Sequence, residues 1–364
     1  MSSPKRQERE PASTEVSEIA PNVLRTQLPI HLPGLGHVNM YAILDDEGAA
    51  VVDPGLPGPG TWRAIEDRLA KAGIKPRHVH TVFVTHSHPD HFGGASRFAR
   101  LSGARVIGHR AFSFGVAPPQ PEVSVEDLES EDAAARLREV EEERAWVEEL
   151  QASLARGRTP WGSRRPRPGL WRQLQWRLMH VLQGISFAPR ISQPVEHGDV
   201  LELAGREWFV MHTPGHTNDH ICLHDPERGL FLSGDHVLPT ITPHIGGISS
   251  SRDPLASFFY SLDRVAELKG VELVLPAHGH PFRDLAARCD AIKRHHFERL
   301  EKVKSISREL GPSSVQAFSQ RLFAPRSWGD MAESETYAHL EHLRLAGQAE
   351  RHTERDGSWI YVAH

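Results

Sequence analysis

The stretch that decides the fold reads TVFVTHSHPDHFGG and covers residues 81–94. An apolar run typical of a buried strand is followed, within six positions, by four side chains of metal-binding type: His86, His88, Asp90 and His91. An extended or turning backbone can aim the two histidines of HSH at one ion, and the Asp–His pair can then face a second. Imidazole and carboxylate are ligands that zinc accepts in catalytic sites. A solvated polar loop has no need of this order, so the stretch predicts a metal site at a strand end.

Three more apolar runs end in residues of the same chemical kind. EWFVMHTPGHT places His216 in a Pro-Gly turn, GLFLSGD ends at Asp235, and VELVLPAH ends at His278. A single His or Asp after a strand is usually an ordinary turn residue. Together with the first four residues, however, these three supply the number of ligands that two ions require. We therefore predict one metal-binding cluster built from the ends of several strands.

These motifs, in this order, resemble the metallo-β-lactamase superfamily. The resemblance is carried by HxHxDH, the HTPGHT turn, SGD and PAHG, and it looks closest to the glyoxalase II-like branch and to its members with a C-terminal winged helix. It covers about residues 16–110 and 194–364. It implies an α/β fold, namely a four-layer αββα metallo-β-lactamase sandwich with a helical insertion and a C-terminal winged-helix-like domain.

The resemblance also implies a role for each of the seven residues. Site one would be His86, His88 and His216, site two Asp90, His91 and His278, and Asp235 would bridge the two ions. The implied cofactors are two Zn²⁺ ions, with iron or manganese as alternatives that the sequence does not separate. A metal-bridging hydroxide would attack the substrate. Asp90 and Asp235 are the implied catalytic residues, because Asp90 would orient the nucleophile and help to protonate the leaving group.

Composition divides the chain into three parts. Residues 1–15 are polar and predict a disordered tail. Residues 16–280 alternate β-rich with helical runs, which favours sheets covered by helices and corresponds to the catalytic domain, interrupted by the insertion at about residues 111–193. Residues 281–364 are mostly helical and end in two short strands, which is the outline of a winged helix.

The insertion combines an acidic, helix-favouring stretch with a basic one. Seven arginines and no acid lie between Arg156 and Arg177, interleaved with Trp161, Trp171 and Trp176. We predict two helices joined by a Pro/Gly-rich linker. This arrangement fits a solvated helical hairpin, and it fits equally a lid or a substrate-recognition wall. For the basic run itself, neutralisation of the acidic helix is favoured over binding of nucleic acid, of the phosphates of coenzyme A, of the carboxylates of glutathione or of an anionic membrane surface.

Several residues near the motifs are candidates for supporting roles. The resemblance gives Asp53, in VVDPG, a supporting role behind the metal ligands. The histidines that could support ligands or contact substrate are His220, His236 and His280 beside the ligands, and His37 and His244 in glycine-containing loops. For Tyr41 and Tyr260, a place in the core is favoured over a hydrogen bond to an oxyanion.

The motifs fit more than one reaction. We predict a dinuclear hydrolase of a small thioester or ester, because two ions can polarise a carbonyl. The alternative is a phosphodiesterase, an endoribonuclease acting on single-stranded RNA, and a lesser alternative is a mono-iron persulfide dioxygenase. A binding protein without turnover is disfavoured because all seven ligand positions are filled. His88 disfavours the redox di-iron relatives, which carry Glu there, and no cysteine occupies a ligand position, unlike in many true β-lactamases.

Charge, cysteine content and hydropathy limit which cellular locations and binding partners are expected. The net charge is −5, the two cysteines form no pair motif, and no run approaches the ~18 apolar residues of a membrane span. The polar N-terminus lacks the apolar segment of a signal peptide, so a cytoplasmic location is predicted. Residues 281–364 carry 13 Lys and Arg against 12 Asp and Glu. This balance makes RNA a less favoured partner than a small molecule, and it favours packing, homodimer formation or completion of the pocket.

Overall fold

The computed structural model describes residues 6–115, 133–164 and 188–364. The first sheet has seven strands in chain order: β1 (Val16–Ala20), β2 (Val23–Leu32), β3 (Leu35–Leu44), β4 (Ala49–Val52), β5 (Val79–Phe83), β6 (Arg105–His109) and β7 (Gln193–Val195). Strands β1 to β4 pair antiparallel, whereas β4 to β7 pair parallel. Parallel neighbours need crossover connections, and helices supply them between β4 and β6.

The second sheet has five strands in the order β12-β11-β10-β9-β8. They are β8 (Val200–Glu202), β9 (Glu207–His212), β10 (Ile221–Asp225), β11 (Leu230–Gly234) and β12 (Leu273–Pro276). Only the pair β11 and β12 is parallel among these described strands.

Eight α-helices lie in the described ranges. They are α1 (Pro59–Lys71), α2 (Pro89–Phe92), α3 (Ala95–Ser102), α4 (Ala133–Ala155), α5 (Pro254–Ala266), α6 (Leu285–Leu310), α7 (Val315–Leu322) and α8 (Asp330–Leu345). Helix α5 begins at Pro254, where Asp253 caps it by accepting a hydrogen bond from the Ala256 amide at 2.9 Å. Within the described ranges, no helix has the length and apolar character needed to cross a membrane.

Three apolar clusters lie between the layers. Side chains alternate along β3, so Met40 and Ala42 join the cluster beneath α1 and α3, whereas Tyr41 and Ile43 join the cluster between the two sheets. The third cluster lies between the second sheet and helices α5 and α6, and Phe258 is fully buried in it. The layers therefore run helix, sheet, sheet, helix, which confirms the predicted four-layer αββα sandwich.

The C-terminal part shares its core with the second sheet. After α6, α7 and α8, three short strands pair antiparallel in the order β13-β15-β14, with β13 (Ser313–Ser314), β14 (Ala349–Thr353) and β15 (Trp359–Ala363). Phe318 and Tyr361 belong to the same apolar cluster as Phe258 of α5. Helices α6 and α8 thus pack directly on helix α5 of the sandwich. The winged-helix-like assignment of residues 281–364 stays a prediction.

The described part of the insertion packs against α8. Trp146 of α4 donates a hydrogen bond to the carbonyl of Ser249 at 3.0 Å. Trp161 stacks on Tyr337 of α8, with ring centroids 4.7 Å apart. The first predicted helix is present as α4, whereas the second one, with most of the basic run, lies outside the described residues.

The N-terminal segment is held to the sandwich from residue 6 onward, although composition predicts a disordered tail over residues 1–15. Glu8 is fully buried. Its carboxylate accepts hydrogen bonds from the backbone amides of Thr240 at 2.8 Å and Ile241 at 3.1 Å. Composition does not reveal these contacts because their partners lie more than 200 positions away. The first five residues lie outside the described part.

Candidate metal centre

All seven predicted ligands follow the carboxyl ends of strands, five on loops and two, Asp90 and His91, in the short helix α2. His86, His88, Asp90 and His91 follow β5, while His216 follows β9, Asp235 follows β11 and His278 follows β12. The parallel pairing of β11 with β12 brings the last two loops side by side. The structure gathers the seven side chains into two groups, and within each group the ligand atoms lie within 4.8 Å of one another.

The first group is formed by three histidines and one carboxylate. The Nδ1 atom of His88 lies 2.9 Å from Nε2 of His86 and 3.0 Å from Nε2 of His216. An oxygen of Asp235 lies 3.4 Å from Nε2 of His216. Four atoms of metal-ligand type thus face one small volume, which is the donor set of a tetrahedral metal site.

Asp235 of the first group also faces the second group, which is formed by Asp90, His91 and His278. Oδ2 of Asp90 lies 3.6 Å from Nε2 of His91 and 3.5 Å from Nε2 of His278. Oδ1 of Asp235 lies 3.3 Å from Nε2 of His278, and its Oδ2 lies 3.6 Å from Nε2 of His91. Asp235 thus lies between the two groups, and its bridging role stays a prediction.

Buried polar atoms without hydrogen bonds mark the centre of the cluster. Nε2 of His91, Nε2 of His278 and Oδ1 of Asp235 are buried and make no hydrogen bond. Leaving a buried polar atom without a partner costs roughly 1–3 kcal/mol. A bound cation would satisfy all three atoms at once, so the residues present fit a metal site.

The outer ring nitrogens of four histidines are held by other groups. Nδ1 of His91 lies 2.8 Å from a carboxylate oxygen of Asp53, and Nδ1 of His278 lies 2.7 Å from the carbonyl oxygen of His37. Nδ1 of His216 lies 2.8 Å from the carbonyl oxygen of His244, and Nδ1 of His86 lies 3.0 Å from the hydroxyl of Thr85. A histidine that donates its outer N–H leaves Nε2 unprotonated for a metal.

Burial and neighbouring charges shift the pKa of two clustered histidines in opposite directions. Burial lowers the pKa of His91, but the carboxylates of Asp90, Asp235 and Asp53 outweigh it and raise that pKa well above its usual value. Burial, reinforced by the neighbouring His216, lowers the pKa of His88 to about 3. The carboxylates therefore attract positive charge toward the second group, whereas His88 stays neutral, as a ligand must.

The histidines predicted as supporting residues differ in what they contact. His220 accepts a hydrogen bond from the amide of Asp235 at 3.0 Å and lies 2.7 Å, through Nδ1, from the hydroxyl of Thr213, so it fixes the SGD turn. His280 contacts Glu10 at 2.9 Å, away from the ligand atoms. His236 is buried against Phe258, with ring centroids 5.2 Å apart.

The two tyrosines behave differently. Tyr41 is buried and its hydroxyl donates to the carbonyl of Pro276 at 2.7 Å, which confirms its core role. For Tyr260 the favoured core role is wrong, because its side chain is 63% exposed on the outer face of α5, with the guanidinium of Arg264 over its ring.

Sequence reasoning missed two groups around the cluster. Asp219 is buried, accepts a hydrogen bond from the Ser87 hydroxyl at 3.0 Å, and has its pKa raised to about 6 by burial. Glu335 of α8 contacts His244, whose carbonyl holds the ring of His216. The acid in HTPGHTND was a visible signal for the first, whereas nothing in the sequence links Glu335 to the motifs.

Comparison with known families decides the classification. The model of the metallo-beta-lactamase superfamily matches residues 33–278, a stretch that contains all seven clustered residues. This chain belongs to the metallo-beta-lactamase superfamily. The superfamily predicted from the motifs is thereby confirmed, and the glyoxalase II-like branch stays a prediction.

Relatives in the superfamily are named as thioesterases and hydrolases. The acyl-coenzyme A thioesterase MBLAC2 of Gallus gallus is 30% identical over 255 residues, which span 67% of this chain and 73% of that protein. The probable metallo-hydrolase YqjP of Bacillus subtilis (strain 168) is 24% identical over 321 residues, spanning 85% of this chain and 88% of that protein.

Solved structures of the superfamily share the whole architecture. A metallo-beta-lactamase family protein from Thermus thermophilus superposes with a TM-score of 0.72 at 28% identity, over 95% of this chain and 100% of that chain. A beta-lactamase domain protein from Burkholderia ambifaria superposes with a TM-score of 0.71 at 25% identity, over 98% and 95% of the two chains. Both confirm the α/β sandwich.

Proposed function

We propose that this chain is a dinuclear metal-dependent hydrolase of a small thioester, and foremost of an acyl-coenzyme A. The observation that carries the proposal is the pair of ligand groups joined at Asp235 in a chain whose relative is an acyl-coenzyme A thioesterase. Its class as a metal-dependent hydrolase follows from the superfamily and from the relatives named as hydrolases. Hydrolysis of an oxygen ester by the same site is the nearest variant.

The two groups would hold two divalent ions, and zinc fits the donor set best. His86, His88 and His216 offer three nitrogens, while Asp90, His91 and His278 offer two nitrogens and one oxygen. When bound, two such ions would supply a nucleophile at neutral pH and polarise the bond under attack. Iron and manganese accept the same ligands and are distinguished by metal analysis.

The carboxylates have separate tasks in this proposal. Hydrolysis of a thioester breaks the C–S bond, forms a C–O bond and moves one proton from water to the thiolate sulfur. Asp90 is assigned the transfer of that proton, because its carboxylate lies beside both His91 and His278 and its side chain is only 7% exposed. Asp235 contacts a histidine of each group and is assigned the role of holding the two groups at a fixed distance.

A substrate panel tests the proposed reaction. Purified protein is assayed with acyl-coenzyme A and acyl-glutathione thioesters, an aryl ester, a bis-aryl phosphodiester, single-stranded RNA and glutathione persulfide. We expect cleavage of the thioesters, with acyl-coenzyme A preferred. Cleavage of RNA or the phosphodiester instead would establish the phosphodiesterase alternative, and oxygen consumption with the persulfide would establish the dioxygenase. Either result would overturn the thioesterase proposal.

Substitution of Asp235 tests whether turnover depends on the shared ligand. Asp235→Ala removes a carboxylate that both groups use, so we expect activity to fall by more than the about 100-fold typical of removing an outer partner of a ligand. Asp263→Ala is the control, since Asp263 forms a surface ion pair with Lys293 and is 57% exposed. Thioesterase rates equal in Asp235→Ala and wild type would refute the assignment.

A further inference from the structure

The loop between β11 and α5 connects the metal centre to the C-terminal helices. Within this loop, the backbone carbonyl of His244 lies 2.8 Å from Nδ1 of His216. A carbonyl only accepts hydrogen bonds, so Nδ1 of His216 carries the hydrogen and its Nε2 is left free to face His88 and Asp235. The place of one backbone carbonyl therefore sets both the tautomer and the ring orientation of a predicted ligand.

Helix α8 holds this loop through its side chains and its backbone. The Nδ1 atom of His244 lies 3.3 Å from Oε2 of Glu335. Three residues further along the loop, the amide of Gly247 lies 3.0 Å from both the carbonyl oxygen and the hydroxyl oxygen of Ser334. A Cβ atom on Gly247 would lie 2.1 Å from Cδ1 of Tyr337, so the bare backbone rests on the helix. The loop is thus fitted closely to α8.

Helix α6 in turn holds Glu335. Its second carboxylate oxygen, Oε1, forms an ion pair with the guanidinium of Arg299, and the two side chains are only 12% and 18% exposed. The guanidinium also lies over the ring of Phe323, 5.0 Å from its centroid. Both oxygens of Glu335 are therefore engaged, one by α6 and one by the loop.

We propose that Glu335 is a positioning residue of the metal centre. The chain of contacts Arg299–Glu335–His244 fixes the His244 carbonyl and so holds the His216 ring in its ligand orientation. This gives the C-terminal helices a part in the chemistry of the sandwich. The inference rests on the proposed metal centre and is independent of which substrate is cleaved.

The expected effect is on the binding of the ion that His216 holds. Loss of an outer partner of a metal-ligating histidine lowers metal affinity by about 10–100-fold. Because Glu335 acts through His244, the lower end applies, and we expect about a tenfold rise in one of the two dissociation constants. The other ion, held by Asp90, His91 and His278, should bind as before.

The test compares four variants with wild type: Glu335→Ala, His244→Ala, the double variant and Glu341→Gln. Zn²⁺ and Co²⁺ dissociation constants are measured by chelator competition, the Co²⁺ absorption spectrum is recorded, and the melting temperature of the metal-free protein is determined. Glu341 is the matched control, because it is a buried carboxylate on the same helix, paired with Arg344 and bonded to the Tyr361 hydroxyl. His244→Ala keeps the backbone carbonyl but removes its tie to α8.

We expect both single variants to weaken one site to a similar extent and to alter the Co²⁺ spectrum. The double variant should bind the ion no more weakly than the single variant with the lower affinity, because both substitutions remove the same contact. Glu341→Gln should lower the melting temperature without changing either constant. Unchanged affinities in Glu335→Ala, or losses that add in the double variant, would overturn the proposal. If the affinities change as expected but wild type cleaves no thioester, the positioning role stands and only the proposed substrate fails.

Discussion

At the scale of single residues, Asp53 shows how one carboxylate organises the metal loop. Its Oδ1 accepts a hydrogen bond from the Thr85 amide at 2.9 Å, and its Oδ2 accepts one from the Thr85 hydroxyl at 2.8 Å. The same Oδ2 lies 2.8 Å from Nδ1 of His91. The residue itself has φ +53°, a conformation that Asp tolerates better than most residues. Asp53 therefore fixes both the start of the loop and one of its ligands.

Asp53→Asn should weaken metal binding without removing a ligand. The amide has nearly the shape of the carboxylate, but it offers one acceptor oxygen and no charge to the N–H groups of Thr85 and His91. We expect a loss of about 10–100-fold in the affinity of the site that contains His91, measured by chelator competition. Asp45→Asn, in the turn after β3, serves as the control. Equal affinities in Asp53→Asn and wild type would contradict this role.

The seven clustered side chains and the supporting residue Asp53 could be picked out from the sequence, but the groups that hold His216 and His278 could not. His86, His88 and His91 are specified by side-chain type and spacing after a buried strand. The groups that hold His216 and His278 are backbone carbonyls, of His244 and His37. Every residue carries a carbonyl, so sequence contains no mark of which one is used.

At the scale of elements, the N-terminal segment clamps two loops of the site. Glu8 holds the loop after Asp235 through Thr240 and Ile241. Nearby, the carbonyl of Glu10 lies 2.8 Å from Nδ1 of His37, the residue whose own carbonyl faces His278. A short polar segment is ordered here because each contact satisfies a buried or half-buried group of the sandwich.

Glu8→Ala should destabilise the fold. The substitution leaves the amides of the half-buried residues Thr240 and Ile241 without their acceptor. Losing two hydrogen bonds of typical net strength costs about 1–3 kcal/mol in all. We expect the free energy of unfolding in urea to fall by about that amount. Glu15→Ala, at an exposed position, should change it by no more than about 0.5 kcal/mol. A wild-type midpoint for Glu8→Ala would show that the segment is not anchored by Glu8.

At the scale of the whole molecule, buried histidines between the C-terminal helices make the stability of the fold depend on pH. Nδ1 of His296, a fully buried residue of α6, lies 3.1 Å from Nε2 of His339 on α8, and its ring faces Phe258 and Phe259 of α5. Burial, then the proximity of His339, lowers the pKa of His296 to about 2. The other charged or titratable groups that influence it are Arg299, His295 and His244.

The sign of the pH effect follows from this lowered pKa. In the unfolded chain His296 takes up a proton near pH ~6.5, whereas in the folded chain it stays neutral down to a pKa of about 2. Above pH ~6.5 the neutral His296 does not favour unfolding. As the pH falls below that value, the unfolded chain takes up a proton that the folded chain does not, so the free energy of unfolding decreases. When the pH is lowered from ~7.5 to ~5, the free energy of unfolding should therefore decrease in both proteins. The decrease should be about 2 kcal/mol smaller in His296→Leu than in wild type.

Urea unfolding at the two pH values measures this difference. His352→Leu is the control, because the His352 side chain is 62% exposed. It should follow the wild-type pH dependence. Equal losses of stability in His296→Leu and wild type would show that His296 is protonated in the folded protein.

The sequence is sufficient to predict the layers of the molecule, but it does not reveal how the C-terminal part packs on them. Alternating apolar strands and ordered motifs specify the αββα sandwich, because burial on two faces leaves a pattern in the sequence. The shared core of Phe258, Phe318 and Tyr361 joins residues that no local pattern connects. The packing of Trp161 on Tyr337 could not be predicted from the sequence either. A cytoplasmic location and a homodimer stay predictions.

We propose that two metal ions occupy the cluster around Asp235. The most direct test is the metal content per chain, by plasma mass spectrometry on purified protein. We expect two equivalents of divalent metal, mainly zinc, and a clear loss of bound metal in Asp235→Ala. A single iron per chain, or a wild-type protein that holds no metal after incubation with zinc and desalting, would contradict it.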